Sequence, residues 1–200
     1  SVLSRGPWGT IIHTLTLDNY RQVADAVFLR ILGRSLRLAL LTTALCLLSG
    51  YALAYWMAFY GGRHKQLYSF LVILPFWTSD LVRLYAWITL LADHGIINNF
   101  LMTLGVLQHP LPLLYNEGAV LLGLVYTYLP FMVLPLYASL ERLDRAVLEA
   151  ASDLGATPAE CFSKVTLPLT KGGMLSGSVL VFVPSVGEFL IPELLGGAKT

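Results

Sequence analysis

Four stretches of this chain are apolar for long enough to cross a bilayer. Residues 38–62 and 118–140 contain no Asp, Glu, Lys or Arg, and each exceeds the ~20 residues that a helix needs to span a ~30 Å hydrocarbon core. Residues 66–92 are interrupted by Asp80 and Arg83, and residues 172–195 by Glu188 and Glu193. Charged groups at membrane depth are costly and are kept for a partner or a function. The pattern predicts an all-α membrane protein with four transmembrane helices, two of which carry polar groups.

The polar stretch between the last two spans has a structure of its own. Apolar and polar residues alternate at helical spacing over 144–154, and Gly155 follows where a C-terminal cap belongs. Thr157-Pro158-Ala159-Glu160 then supplies an N-cap hydroxyl, a proline at the first helical position and a glutamate at the third, which is a capping box opening a second short helix. Pro168 is expected to close it. The result is a helix-turn-helix whose small residues, Ala150, Ala151 and Gly155, let another backbone come close.

Composition agrees with a membrane setting: 56% of the residues are apolar and 12% are charged, about half the ~25% charged share of soluble domains. Loop charge then orients the spans. Residues 60–65 carry Arg63 and Lys65, residues 141–171 carry Arg142, Arg145, Lys164 and Lys171, and residues 93–117 carry no Lys or Arg. The first two loops are expected inside and the third, with Asn98, Asn99, Pro110 and Pro112, outside. The expected organisation is an external segment 1–33, a transmembrane domain 34–195 with an internal loop 141–171, and residues 196–200 emerging outside. Arg5, Arg21 and Arg30 run against the charge rule, which long external segments escape.

Catalytic chemistry is not expected. Gly196-Gly197-Ala198-Lys199-Thr200 lacks the glycine before lysine that a phosphate loop requires. His13, His64, His94 and His109 have no ligand spacing, so neither a metal nor a cofactor is predicted. Cys46 belongs mid-membrane and Cys161 in the internal loop, too far apart for a disulfide.

The intramembrane groups suit a cation. Trp77, Asp80, Leu84 and Trp87 recur at three and four residues, so one face of the helix over 66–92 is expected to offer a carboxylate between indoles. Counted along straight helices at ~1.5 Å per residue, Asp80 lies about 20 Å and Glu188 about 22 Å from the inner ends, with Glu193 near the outer boundary. An ammonium in hydrocarbon needs such carboxylates and aromatic faces. Alternatively, Asp80 and Arg83, three apart, neutralise each other. Glu188 has no cation three or four residues away, so its partner comes from another helix, from backbone or from cargo. Pro75, Pro130, Pro135 and Pro184 each free a carbonyl within a span, as hinges or packing bends.

Glu149-Ala150-Ala151, three residues, Gly155, nine residues and Val165-Thr166-Leu167-Pro168 resemble the loop by which permeases of binding-protein-dependent ABC importers engage their ATPase. Only Val165, in place of Ile, departs from that pattern. The resemblance implies a type I permease core in a bacterial inner membrane, with four of six helices in this chain, which begins at Ser1 rather than Met. It also implies ATPase docking through Glu149, Ala150, Ala151, Gly155, Leu167 and Pro168, with hydrolysis left to a separate subunit. Further blocks, among them Leu74-Pro75-Phe76-Trp77-Thr78-Ser79, Leu129-Pro130-Phe131 and Val186-Gly187-Glu188-Phe189-Leu190-Ile191-Pro192-Glu193, are similar to the polyamine branch, nearest to permeases of putrescine importers. That branch implies ABC ATPase subunits, a second related permease, a periplasmic polyamine-binding protein and membrane lipid as partners, and no nucleic acid. The expected cargo path comprises Trp77, Asp80, Tyr85, Trp87, Glu188 and Glu193. The competing expectations are the same machine carrying an iron complex or oxyanion, and a stand-alone transporter or channel. The docking loop argues against the last.

Overall fold

The computed structural model describes residues 3–5, 11–15 and 26–196, with side chains from Leu29 onward. Much of the expected external segment 1–33, the end of the expected 196–200 segment and the glycine-rich run ending at Thr200 lie outside the described residues. The chain divides into two units, Ser1–Arg37 and Leu38–Thr200. In the first, strands β1 (Leu3–Arg5) and β2 (Ile11–Leu15) pair antiparallel. Everything else described is helical or irregular.

Helix α1 (Ala26–Tyr60) begins earlier than the charge-free run. Its 35 residues are about 52 Å long at ~1.5 Å per residue, well beyond a bilayer core. The extra turns arise because Arg30, Arg34 and Arg37 sit among good helix formers such as Leu29, Leu32 and Leu36; arginine ends an apolar run but not a helix.

The expected span 66–92 is broken. Helix α2 (Lys65–Ile73) passes through a tight turn at Leu74–Trp77 and stops, and α3 (Asp80–Leu91) starts after Thr78 and Ser79, both extended. The two halves meet at 91°. Pro75 has no N–H to continue the ladder, and the Thr78 hydroxyl donates to the Pro75 carbonyl at 2.7 Å, satisfying a group that the break exposes. Helix α4 (Ile96–Thr103) follows in the connecting loop. Buried Asn98 holds that loop shut: its amide donates to the Ala92 and Leu111 carbonyls at 3.1 and 2.9 Å and accepts from the Leu111 N–H at 3.0 Å.

Helix α5 (Glu117–Glu141) is the centre of the second unit. Its buried Val120, Leu124, Met132, Val133, Leu136 and Leu140 form the core with residues of α1 and of the chain's last segment. Helix α8 (Lys171–Val186) lies close against it through glycines. A Cβ on Gly173 would stand 2.6 Å from the Ser139 Cβ, and one on Gly177 2.8 Å from the Met132 Sδ. Close backbone approach through small residues is how helices pack where there is no water to expel.

Between α5 and α8 lie α6 (Arg145–Asp153) and α7 (Pro158–Leu169). Pro168 does not close α7 as expected. A wide turn over Cys161–Thr166, with the Leu167 N–H bonded to the Phe162 carbonyl five residues back, carries the helix past the proline. The break comes at Thr170, where α7 and α8 bend by 63°. Two helices, Leu29–Tyr60 and Glu117–Glu141, are each long and apolar enough to cross a membrane, and the two bent pairs make four spans if each pair crosses once.

Candidate functional site

The breaks rearrange the residues that sequence spacing had aligned. Trp77 belongs to the turn before the 91° bend, not to the face of Asp80; its ring is 76% exposed and meets Phe70 edge-on at 5.9 Å. Tyr85 is exposed on α3, and Trp87 packs edge-on against Tyr126 at 5.4 Å. Glu188 lies beyond the end of α8 and not on it, and exposed Glu193 sits on a separate wide turn, Pro192–Gly196. The depth count along straight helices fails for the same reason, since neither helix runs unbroken through its charged residues.

Asp80 and Glu188 nevertheless face one space. A cavity of about 490 Å³ is bordered by Asp80, Arg83, Tyr128 and Glu188, with Phe76 and Phe131 among its apolar walls. Asp80 opens α3, and Arg83 one turn later reaches back to form an ion pair with it. Arg83 is buried, at 9% exposure, whereas the Asp80 side chain is 70% exposed. The guanidinium stands 6.0 Å from the ring centres of both Phe76 and Tyr126, a cation–π arrangement contributing ~0.5–2 kcal/mol. Its Nη1 is buried with no partner, and a buried orphan donor costs about 1–3 kcal/mol.

Glu188 is held differently. The Tyr128 hydroxyl donates to its Oε2 at 2.9 Å, and the Leu190 N–H donates to its Oε1 at 3.0 Å. The partner that sequence demanded is thus on another helix, and it is a hydroxyl rather than a cation. Tyr128 escaped the sequence reading, although a tyrosine in a charge-free span requires a mate for its hydroxyl and was a usable signal.

Apart from Pro168, the loop 141–171 is capped as its signals required. The Asp144 carboxylate accepts from the Ala146 N–H at 3.0 Å and caps α6. At the other end Gly155 takes φ +86°, its N–H bonds the Ser152 carbonyl at 2.9 Å, and the Ala156 N–H bonds the Ala151 carbonyl at 3.1 Å. These two bonds are a Schellman cap, which a left-handed residue makes possible. The capping box closes both ways, with the Thr157 N–H to Glu160 Oε2 at 3.0 Å and the Glu160 N–H to Thr157 Oγ1 at 3.3 Å. The Lys164 ammonium at 2.8 Å, then the Thr157 donors, hold the Glu160 carboxyl below the ordinary carboxylate range.

On α6, Glu149 and Ala150 are exposed and Ala151 is half-buried, while Val147 and Leu154, seven apart, leave apolar side chains in the open, Leu154 at 89%. Leu167 and Pro168 are half-buried on α7, and Leu167 packs on the core. Phe162 ties α7 to α1: its ring meets Tyr51 and Tyr55 edge-on, each at 5.7 Å. The Tyr51 hydroxyl also lies 3.0 Å from the Thr170 hydroxyl at the bend. The start of α2 meets this end of α5 through Lys65 and Glu141, 3.7 Å apart.

Known proteins are similar to this chain in sequence. Residues 50–199 match the model of the binding-protein-dependent transport system inner membrane component. Over 199 residues the chain is 42% identical to the spermidine/putrescine transport system permease protein PotB of Escherichia coli (strain K12), covering 100% of this chain and 72% of that protein. It is 37% identical over 194 residues to the inner membrane ABC transporter permease protein YdcU of the same organism, covering 91% of this chain and 62% of the relative. It is 34% identical over 163 residues to the molybdenum transport system permease protein ModB of Azotobacter vinelandii, covering 82% of this chain and 70% of the relative. With residues 50–199 matching the family and 42% identity across the full chain, the chain belongs to the binding-protein-dependent transport system inner membrane components.

Proposed function

We propose that this chain is a permease subunit of an ATP-driven polyamine importer, with putrescine as its cargo, and that the cavity between Asp80 and Glu188 is a station on the cargo's path. The single observation that carries the cation reading is Glu188, a carboxylate on a 490 Å³ cavity that has hydrogen-bond donors but, among the described residues, no ion-pair partner. Resemblance to the spermidine/putrescine permease supports the same cargo class. Loop 141–171 faces the cytoplasm in this reading, and α6 docks on an ABC ATPase through Glu149, Ala150, Ala151 and Gly155, with Val147 and Leu154 as apolar contacts. A sister permease and a periplasmic polyamine-binding protein complete the importer. Tyr85, Trp87 and Glu193 lie away from the cavity and have at most an outer role, as does Trp77.

Resemblance to the molybdenum permease offers an oxyanion as the second reading. Two carboxylates bordering the cavity against a single guanidinium oppose it. The deciding experiment reconstitutes the importer in liposomes and follows ATP-dependent uptake of labelled putrescine, spermidine and molybdate. Putrescine and spermidine should enter and molybdate should not. Glu188→Gln keeps the size but removes the charge, and loss of one charge-assisted bond, ~1.5–3 kcal/mol, slows uptake about tenfold or more. Molybdate uptake without polyamine uptake would overturn the cargo; undiminished putrescine uptake by Glu188→Gln would remove the cavity from the path.

A further inference from the structure

Two carboxylates border the cavity, but their situations are opposite. Asp80 carries its own counter-ion one helical turn away, and the pair sums to zero. Among the described residues Glu188 is answered by the Tyr128 hydroxyl and the Leu190 N–H, neutral donors that orient the carboxylate without cancelling its charge. The cavity therefore presents one net negative charge, and its place is known.

Arg83 is not arranged as a stabilising device alone. Its guanidinium is buried between Phe76 and Tyr126, and one of its nitrogens is left without a partner on a cavity it lines. A pair kept only for stability gains nothing from an orphan donor. What the geometry does achieve is a cancelled charge at a fixed spot beside the cavity.

We infer that Arg83 is a resident counter-cation that cancels Asp80, so that the cavity receives one ammonium group at a time, at Glu188. This rests on the polyamine reading above and specifies how that cargo is held. A cavity with two open carboxylates would grip both ends of a diamine and release it slowly, whereas a single open charge holds one end and lets the chain pass end-on. Arg83 and Asp80 are then charge-setting residues, and Glu188 alone contacts an ammonium.

The consequence is a rule of charge count that differs from a rule of residue identity. In the reconstituted complex, Arg83→Gln leaves two uncompensated carboxylates and should slow putrescine release, lowering maximal uptake by about tenfold or more. Asp80→Asn with Arg83→Gln restores the single charge and should return uptake to within about threefold of the parent, a coupling that a double-mutant cycle measures. A double variant that assembles and hydrolyses ATP but does not transport would overturn the inference, because Asp80 would then be needed for itself.

A second measurement uses the unmutated complex and so does not depend on any variant folding. Esterification of carboxyls by a membrane-permeant diazo reagent, read by mass spectrometry, reports each carboxylate separately. With putrescine or n-butylamine at about ten times its half-saturating concentration, Glu188 should be protected about tenfold while Asp80 stays unprotected. Protection of Asp80 by either amine would refute the assignment. If the parent complex takes up no polyamine at all, the cargo reading fails instead, an outcome distinct from uptake with the wrong carboxylate protected.

Discussion

Replacing Gly155 by valine puts a β-branched side chain on a residue held at φ +86°. A Cβ there meets nothing within 4 Å, so the whole cost is backbone. An L-residue in the left-handed region costs roughly 1–2 kcal/mol, and a β-branched one lies at the upper end. The Schellman bonds, from the Gly155 N–H to Ser152 and from the Ala156 N–H to Ala151, are what that conformation secures. Relaxing it frays the end of α6 that carries Ala150 and Ala151. A penalty of 1–2 kcal/mol lowers the population of the intact turn by a factor of roughly 5–30. ATPase subunits should co-purify with Gly155→Val correspondingly less well, and binding-protein-stimulated ATP hydrolysis should fall in parallel while the protein stays in the membrane. Gly155→Ala should be intermediate. Gly155→Asn should be near the parent, because asparagine tolerates the left-handed region. Parent-like association of Gly155→Val, or an Asn variant as weak as Val, would refute a reasoning based on backbone conformation.

Two further outcomes follow from the same loop. A membrane-impermeant thiol reagent applied outside intact cells should leave Cys161 unmodified, whereas in inverted vesicles freed of ATPase the half-buried thiol should react; labelling from outside would reverse the orientation. Because the Lys164 ammonium holds the Glu160 carboxyl below its ordinary value, the capping box contributes fully above the ordinary carboxylate pKa, ~4.3, and loses its contribution as pH falls through the lowered one. Hydrogen exchange at the Thr157 amide, which donates to Glu160, should accelerate in that acid window, and the Glu160→Gln variant should show no such step.

The long apolar runs were legible because bilayer thickness fixes their length, and the loop was legible because caps are local chemistry: Asp144, Gly155, Thr157 and Glu160 all act within a few residues. Where helices break was not legible. Thr78, Ser79 and Asp80, like Gly187 and Glu188, are short polar interruptions in otherwise apolar runs, and spacing read through them treated Trp77 and Asp80 as neighbours on one face and Glu188 as part of a helix. Pro75 marked the first break one turn early, and Pro168 marked a break that a wide turn absorbs. The Asp80–Arg83 pair was visible as an i, i+3 option; the Tyr128–Glu188 contact, 60 residues apart, depends on how α5 meets the segment after α8, which no local signal encodes.

The Phe162 ring between Tyr51 and Tyr55, with Tyr51 bonded at the same time to Thr170, gives loop 141–171 two attachments to the bundle instead of one. A loop joined only through its own chain would pull α8 and leave α1 to follow by drift. A displacement of α6 and α7 would reach α1 and the start of α8 together, with the 63° bend at Thr170 as the joint between them. Removing the Phe162 ring should therefore loosen α7 from α1 while α8 stays joined to α7 through the chain.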